Sequence, residues 1–258
     1  MKIQNSNPVF DTSLTNKLDK QISSGKRVNS AADDNSALQI INRMNSKQEG
    51  YNQAVRNAYD GISLTQTADS ALQGVGDAVE RIRELSIQAG NGVLTDSDRL
   101  ALQDEVAQLQ SQISETFENT TFGGTKLFSG QTSSFQIGAE AGSSKSAVFT
   151  NGSFANGIMN VDISTQTGAQ AAIDSVDDIK DSISNERAKF GAFENTLSST
   201  IRALGTQAEN VEASKSRISD TDYARVISDR VSNDILQKAK VAINAQASKA
   251  STNVLNLL

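Results

Sequence analysis

Few side chains in this 258-residue sequence could do chemistry, since it contains neither cysteine nor histidine. Their absence removes thiolate nucleophiles, imidazole bases, disulfides and zinc sites with nitrogen or sulfur ligands. Carboxylate and lysine chemistry remains. The acid pairs Asp33-Asp34 and Asp177-Asp178 lack the ladder of oxygen ligands of an EF-hand loop, and we interpret both as acids in first helical turns. The sequence therefore predicts no catalytic site, no metal and no cofactor, and an enzyme is the weakest hypothesis.

Charge and hydropathy also limit the partners. Lys and Arg number 24 against 30 Asp and Glu, and the resulting net charge of −6 is spread along the chain. This distribution predicts no nucleic-acid partner and no membrane partner. The sequence has neither a long apolar run nor the pattern of a signal peptide, so we expect neither membrane spanning nor signal-peptide export.

Amphipathic helices are the elements that dominate the chain. Apolar residues recur at steps of three and four from Ile41 to Ala89, again from Val176 to Val211, and over a shorter span from Leu102 to Phe117. This pattern predicts a mainly α fold, a long antiparallel helical bundle or coiled-coil rod in which the chain goes out and returns. Periodicity alone leaves an ordinary bundle and a filament or coiled-coil assembly protein equally open.

Local signals set the expected helix boundaries. We expect a short helix over residues 11–24, stopped by Gly25, and a long helix that starts near Ser30 with Ser30 and Asp33 at capping-box spacing. Thr95 should cap the next helix. The returning helix should start near residue 174, with Ser175 and Asp178 at capping spacing, and end near residue 214.

Other local signals indicate a small β region and close helix contacts. The stretch 121–149 is rich in Gly, Ser, Thr and Phe, and it predicts a β-hairpin over residues 126–138. Further strands are expected at 147–150 and 158–163. Gly191 and Gly205 fall inside the returning helix, where glycine is unfavourable, and they suggest close contacts with a neighbouring helix.

The last segment, 219–258, is rich in alanine and carries widely spaced large apolar residues. Such a helix is not expected to be stable alone, so we expect copies of the chain to cover it. The residues predicted to make these self-assembly contacts are Ile227, Val231, Ile235, Leu236, Ile243, Val254, Leu255 and Leu257. The alternative is that they form an intramolecular core.

Several stretches together resemble the bacterial flagellins. They are SSGKRVNSAADDNSALQI, ERIRELSIQAGNG with LQDEVAQLQSQI, TFGGTKLFSG with FQIGAEAG, RAKFGAFENTLSSTI, and SRISDTDYA through NVLNLL. They cover nearly the whole chain in the family's order. The resemblance implies a structural subunit of the extracellular flagellar filament, a homopolymer built by helical self-assembly. It implies five segments: a 1–29 inner-tube segment, 30–120 rod helices, a 121–172 β-rich outer region, a 173–216 returning rod helix and a 217–258 inner-tube helix.

The resemblance also implies partners and an export route. It implies export through the hollow organelle by the flagellar type III apparatus, with an export chaperone and a filament cap as partners. The stretch before Ser23 is shorter than flagellins usually have, and Asn35-Ser36-Ala37 stands where many members have Ala-Ala-Gly. A hook–filament junction protein, whose beginning can resemble MKIQ and SSGKRV, is the alternative within the superfamily.

A further implied partner is the mammalian Toll-like receptor for flagellin. Arg81, Leu85 and Glu105 stand at the places of the family's receptor contacts, and Arg81 and Leu85 are spaced to share one helix face. The alternative role of these three residues is packing and surface ion pairing. Serine and threonine residues of the β region could accept O-linked glycans or belong to a sugar-binding module; they are Thr132, Ser133, Ser134, Ser143 and Ser144.

Overall fold

The computed structural model describes residues 12–149 and 155–255. The helices are α1 (Thr12–Ser24), α2 (Asn35–Ala89), α3 (Asp96–Asn119), α4 (Ala155–Met159), α5 (Gln166–Ser219) and α6 (Tyr223–Leu255). The strands are β1 (Thr121–Phe122), β2 (Thr125–Lys126), β3 (Thr132–Gln136) and β4 (Ser144–Val148). The chain divides into two units, a terminal unit of residues 1–48 and 209–258 and a central unit of residues 49–208. Helices α2 and α5 contribute residues to both.

In the central unit, α2 runs antiparallel to both α3 and α5. The apolar stripe of α2 is buried between α3 and α5, and its largest fully buried members are Leu72, Val75, Val79, Ile82 and Leu85. Ion pairs fix the register of α2 against α5: Arg187 contacts both carboxylate oxygens of Asp69, at 2.7 and 3.2 Å, and Arg83 Nε lies 2.7 Å from Asp177 Oδ1. The mainly α, antiparallel prediction is thus confirmed.

The turn between α2 and α3 is held by caps on both sides. Thr95 and Asp98 form the capping box that starts α3, which confirms the predicted cap. The buried guanidinium of Arg99 donates to Ala89 O at 2.9 Å and to Asn91 O at 3.0 Å. Arg99 therefore satisfies carbonyl groups at the end of α2 that have no partner within the helix.

The β region is smaller than predicted and pairs differently. Strands β1 and β2 pair around Gly123 and Gly124, whose φ angles of 57° and 82° suit a tight hairpin turn. Strand β3 pairs with β4, from Thr132 opposite Val148 to Gln136 opposite Ser144. The predicted hairpin over 126–138 is wrong, because residue 126 already pairs with Thr121 across the Gly-Gly turn.

Two predicted strands also need correction. The strand expected at 147–150 is β4, which begins earlier and ends at Val148; residue 150 lies outside the described residues. The strand expected at 158–163 is wrong, since this stretch is the end of α4 followed by a loop. Ile158 and Ile163 are fully buried in the helical core, so their side chains cover α3 and α5 rather than one face of a sheet.

Two predicted helix starts are wrong, since in each case the predicted Ser-x-x-Asp pair does not cap the helix. Asp33 accepts hydrogen bonds from the amides of Asn29 and Ser30 and closes a turn before α2, whose cap is Asp34. Helix α5 begins at Gln166 under a Thr165 cap, so Ser175 lies inside the helix and donates to Ala171 O. Ser-x-x-Asp spacing recurs wherever polar residues are dense, and it marks a cap only where the chain enters a helix.

The predictions made for Asp177, Gly191 and Gly205 are also wrong. Asp177 lies inside α5, paired with Arg83, and not in a first turn. A methyl group added at Gly191 or Gly205 would meet no atom within 4 Å, so neither glycine marks a close helix contact. The close approach occurs instead at Gly61 of α2, where such a carbon would lie 2.9 Å from Leu197 Cδ1.

Acid is expected to destabilise the fold. Hydrogen bonds from Thr95 lower the pKa of Asp98, and Arg83 lowers the pKa of Asp177. A lowered folded-state pKa gives stability that is present above the unfolded-state pKa, about 3.9, and is lost as the pH falls through the folded value. We expect the midpoint temperature of thermal unfolding, measured by circular dichroism, to decrease when the pH is lowered below about 4. Asp98→Asn should show a smaller fall, and an equal fall in both proteins would contradict this account.

Candidate assembly surface

Helix α6 packs antiparallel on α1 in the terminal unit. Arg230 Nε lies 2.6 Å from Asp19 Oδ1, and the amides of Asn233 and Gln237 donate to Thr15 Oγ1 at 2.9 and 3.0 Å. The Tyr223 hydroxyl donates to Ile22 O at 3.2 Å. One face of α6 is therefore committed to α1.

Gly25 makes this pairing possible at the end of α1. Its φ of 69° is left-handed, as predicted for a helix stop, and an added Cβ would lie 3.1 Å from the Tyr223 hydroxyl oxygen. The chain then turns so that Lys26 bridges to Asp220 and Arg27 donates to the carbonyls of Ile218 and Ser219. These contacts hold the end of α1 beside the segment that joins α5 to α6.

The other faces of α6 carry large apolar side chains that this chain leaves exposed. Ile227, Val231 and Ile235 follow one another at steps of four and are 49%, 51% and 60% exposed. Ile243 is 66% exposed, and Leu236 borders a groove of about 280 Å³ with Leu14 and Leu18 of α1. The described chain thus leaves these apolar side chains of α6 uncovered.

Sequence reasoning missed two apolar residues of α6. Val241 is 49% exposed and extends the exposed apolar set, whereas Val226 is buried and is not part of it. The only signal for either is its size within a segment that is rich in alanine. Of the predicted assembly residues, Leu257 lies outside the described residues, and the side chains of Val254 and Leu255 are not described.

The three predicted receptor residues lie together at the α2–α3 contact of the central unit. Arg81 is exposed and donates from Nε to Glu105 Oε1 at 2.9 Å and from NH1 to Glu84 Oε2 at 2.9 Å. Leu85 is 1% exposed and belongs to the core. Arg81 and Leu85 lie about one turn apart on α2, but Arg81 is exposed and Leu85 is buried.

Within residues 12–149 and 155–255, no helix is long and apolar enough to cross a membrane, and no cluster of acidic side chains could hold a metal ion.

Comparison with known proteins agrees with this arrangement of terminal helices. The family model for the bacterial flagellin N-terminal helical region matches residues 6–133, and that for the C-terminal helical region matches residues 173–258. The flagellar filament 33 kDa core protein of Treponema phagedenis is 36% identical, with 93% of this chain and 90% of that protein covered.

Two solved structures resemble the fold. The crystal structure of Bacillus cereus flagellin has a TM-score of 0.54 at 25% identity and covers 62% of this chain and 94% of that one. A candidate flagellar hook-associated protein from Vibrio parahaemolyticus has a TM-score of 0.62 at 16% identity, over 73% of this chain and 100% of that one, which shows a shared fold alone. The chain belongs to the bacterial flagellins. It is a structural protein of the extracellular flagellar filament, and nothing favours the hook–filament junction alternative.

Proposed function

We propose that the chain polymerises into the flagellar filament by burying the exposed apolar faces of α6 against other copies. The supporting observation is the set Ile227, Val231 and Ile235, which the chain holds on a formed helix but does not cover. Fully burying one such side chain stabilises an assembly by about 1.5–3 kcal/mol, so half-exposed residues contribute about 1 kcal/mol each. The gain recurs on every copy.

An open filament needs two different complementary surfaces. When one surface of a subunit contacts a different surface on its neighbour and the rotation does not close, a helical fibre results. The polar contacts of α1 with α6 leave several apolar faces of α6 available at once. We propose that these faces meet different neighbours, as the walls of an inner tube require.

The export route and the assembly partners are further parts of the proposal. We propose that the chain travels unfolded through the flagellar type III apparatus, and that an export chaperone covers its carboxyl-terminal helix before assembly. A filament cap would then guide folding and insertion at the tip. Cover of these apolar residues by the chaperone would keep the chains from polymerising before export.

Electron microscopy of the purified full-length chain at high concentration tests the proposal. We expect a regular hollow fibre, whose growth is accelerated by sheared fragments of the same fibre. A monodisperse monomer at every concentration, with or without fragments, would refute it.

Receptor recognition remains a separate proposal. We propose that Arg81 and Glu105 offer the accessible polar groups and that Leu85, buried beneath them, acts by holding α2 in place. The reporter signal from the monomer is expected to depend on the two surface residues directly and on Leu85 through folding.

A further inference from the structure

Asn91 and Gly92 form the turn between α2 and α3, and both are exposed. Asparagine followed by glycine can lose ammonia without an enzyme, since the glycine nitrogen can attack the asparagine side-chain carbonyl carbon. Glycine offers no Cβ to hinder that attack. The pair occurs again at Asn156-Gly157, inside α4, and at Asn151-Gly152, which lies outside the described residues.

The side chain of Asn91 is already folded back over its own main chain. Its Oδ1 accepts a hydrogen bond from the Val93 amide at 3.2 Å, which is the arrangement of an Asx turn. This bond places the side-chain carbonyl beside the Gly92 peptide unit and polarises it. Within the described chain, no acceptor takes the Gly92 amide proton.

Arg99 contacts the peptide group that loses its proton in this reaction. Arg99 is 6% exposed and donates from Nη2 to Asn91 O at 3.0 Å, and the Leu94 amide donates to the same oxygen at 3.2 Å. Asn91 O belongs to the amide whose nitrogen is Gly92 N. When that nitrogen loses its proton, the negative charge spreads onto Asn91 O, where a buried cation stabilises it.

We propose that Asn91 is a self-deamidation site, promoted by Arg99. Hydroxide removes the Gly92 amide proton, the nitrogen forms a bond to Asn91 Cγ, and the side-chain amide nitrogen leaves as ammonia. The product is a five-membered succinimide. Water then opens the ring at Cγ to give aspartate, or at the main-chain carbonyl to give isoaspartate.

The contact between Arg99 and Asn91 O also favours isoaspartate over aspartate as the product. Opening at the main-chain carbonyl frees the group that Arg99 already contacts as a carboxylate, so a charged hydrogen bond replaces a neutral one. Isoaspartate is therefore expected to exceed aspartate at this position. Each molecule gains one negative charge at an exposed turn as it ages, which marks old subunits among new ones.

Asn156-Gly157 is an internal control in the same unit. Asn156 lies within α4, and an added Cβ at Gly157 would lie 3.2 Å from Ile179 Cδ1. Ring closure there would require the main chain to leave its helical conformation. The fold should thus slow reaction at Asn156 and speed it at Asn91.

The test compares the full-length chain in native buffer with the same chain in urea, at one pH and temperature. Peptide mapping follows conversion at Asn91 and Asn156, with fragment ions separating Asn156 from Asn151. We expect Asn91 to react about tenfold faster folded than in urea, and Asn156 to react more slowly folded. Asn91 reacting no faster folded than in urea would overturn the proposal.

A variant isolates the role of Arg99. Arg99→Gln keeps hydrogen-bonding groups but removes the charge, and it is expected to slow Asn91 about tenfold and to lower the isoaspartate share. Asn156 in the same molecule should be unchanged, which reports that the central unit remains folded. If Asn91 reacts at the wild-type rate in a folded Arg99→Gln protein, the guanidinium has no part in the reaction and the promoted site is refuted.

Discussion

Replacing Ile227, Val231 and Ile235 together by aspartate is expected to abolish filament formation while leaving the monomer helical. All three side chains are about half exposed or more in the single chain, so their replacement removes little of its own packing. In an assembly the change loses apolar burial and places three carboxylates in a contact that excludes water, where an unpaired charge is costly. Sedimentation and electron microscopy measure the loss, and far-ultraviolet circular dichroism measures helix content.

Two controls separate apolar contact from charge. Ile227→Leu, Val231→Ile and Ile235→Leu together keep the apolar character of the surface and should still polymerise. Gln108→Asp, Ser111→Asp and Gln112→Asp together add the same charge to exposed polar positions of α3. Filaments from the α6 aspartate variant, or equal loss in the α3 variant, would contradict a specific role for this face.

Leu85→Ala is expected to cost about 2–5 kcal/mol of unfolding free energy, because it empties part of a packed core. Leu72 is the matched residue: it lies on the same helix, is equally buried, and belongs to the same cluster of core residues. Leu72→Ala should therefore destabilise the chain by a similar amount. Chemical denaturation of the two monomers gives the comparison.

The same pair tests recognition by the Toll-like receptor for flagellin. At a temperature where both variants are folded, Leu85→Ala and Leu72→Ala should give equal reporter signals, whereas Arg81→Ala and Glu105→Ala should lower the signal with little change in stability. A specific loss for Leu85→Ala would show a direct contact, which requires this side chain to leave the core. Undiminished signal from both surface variants would remove the proposed receptor site.

Sequence periodicity predicted the helical stripes well, because burial repeats with the helical turn. The stripe of α2 is buried at Ala58, Thr65, Ala68, Leu72, Val75, Val79, Ile82, Ser86 and Ala89, as its spacing predicts. The two hydroxyl residues in it satisfy themselves within the helix, since Thr65 donates to Gly61 O and Ser86 to Ile82 O. Neither needs a partner from another element.

Local signals predicted boundaries less well. Thr95-Asp98, Ser30-Asp33 and Ser175-Asp178 have the same spacing, yet one caps a helix, one closes a turn and one lies inside a helix. The strands were harder still, because the Gly-Gly turn at residues 123–124 and the longer turn after residue 136 are both plausible reversals. Which strands pair depends on the helices that bury Leu127, Phe128 and Phe149.

By itself, the amino-acid sequence determined that this protein is built from amphipathic helices without thiol or imidazole chemistry, since composition and periodicity are properties of the chain. Only the tertiary structure decided which apolar stripes are covered. Leu85 and Ile227 occupy stripes of the same kind, but α3 and α5 bury the first, whereas α1 covers a different face of α6 and leaves the second exposed. Burial depends on what lies opposite a residue, which its own neighbours in sequence cannot specify.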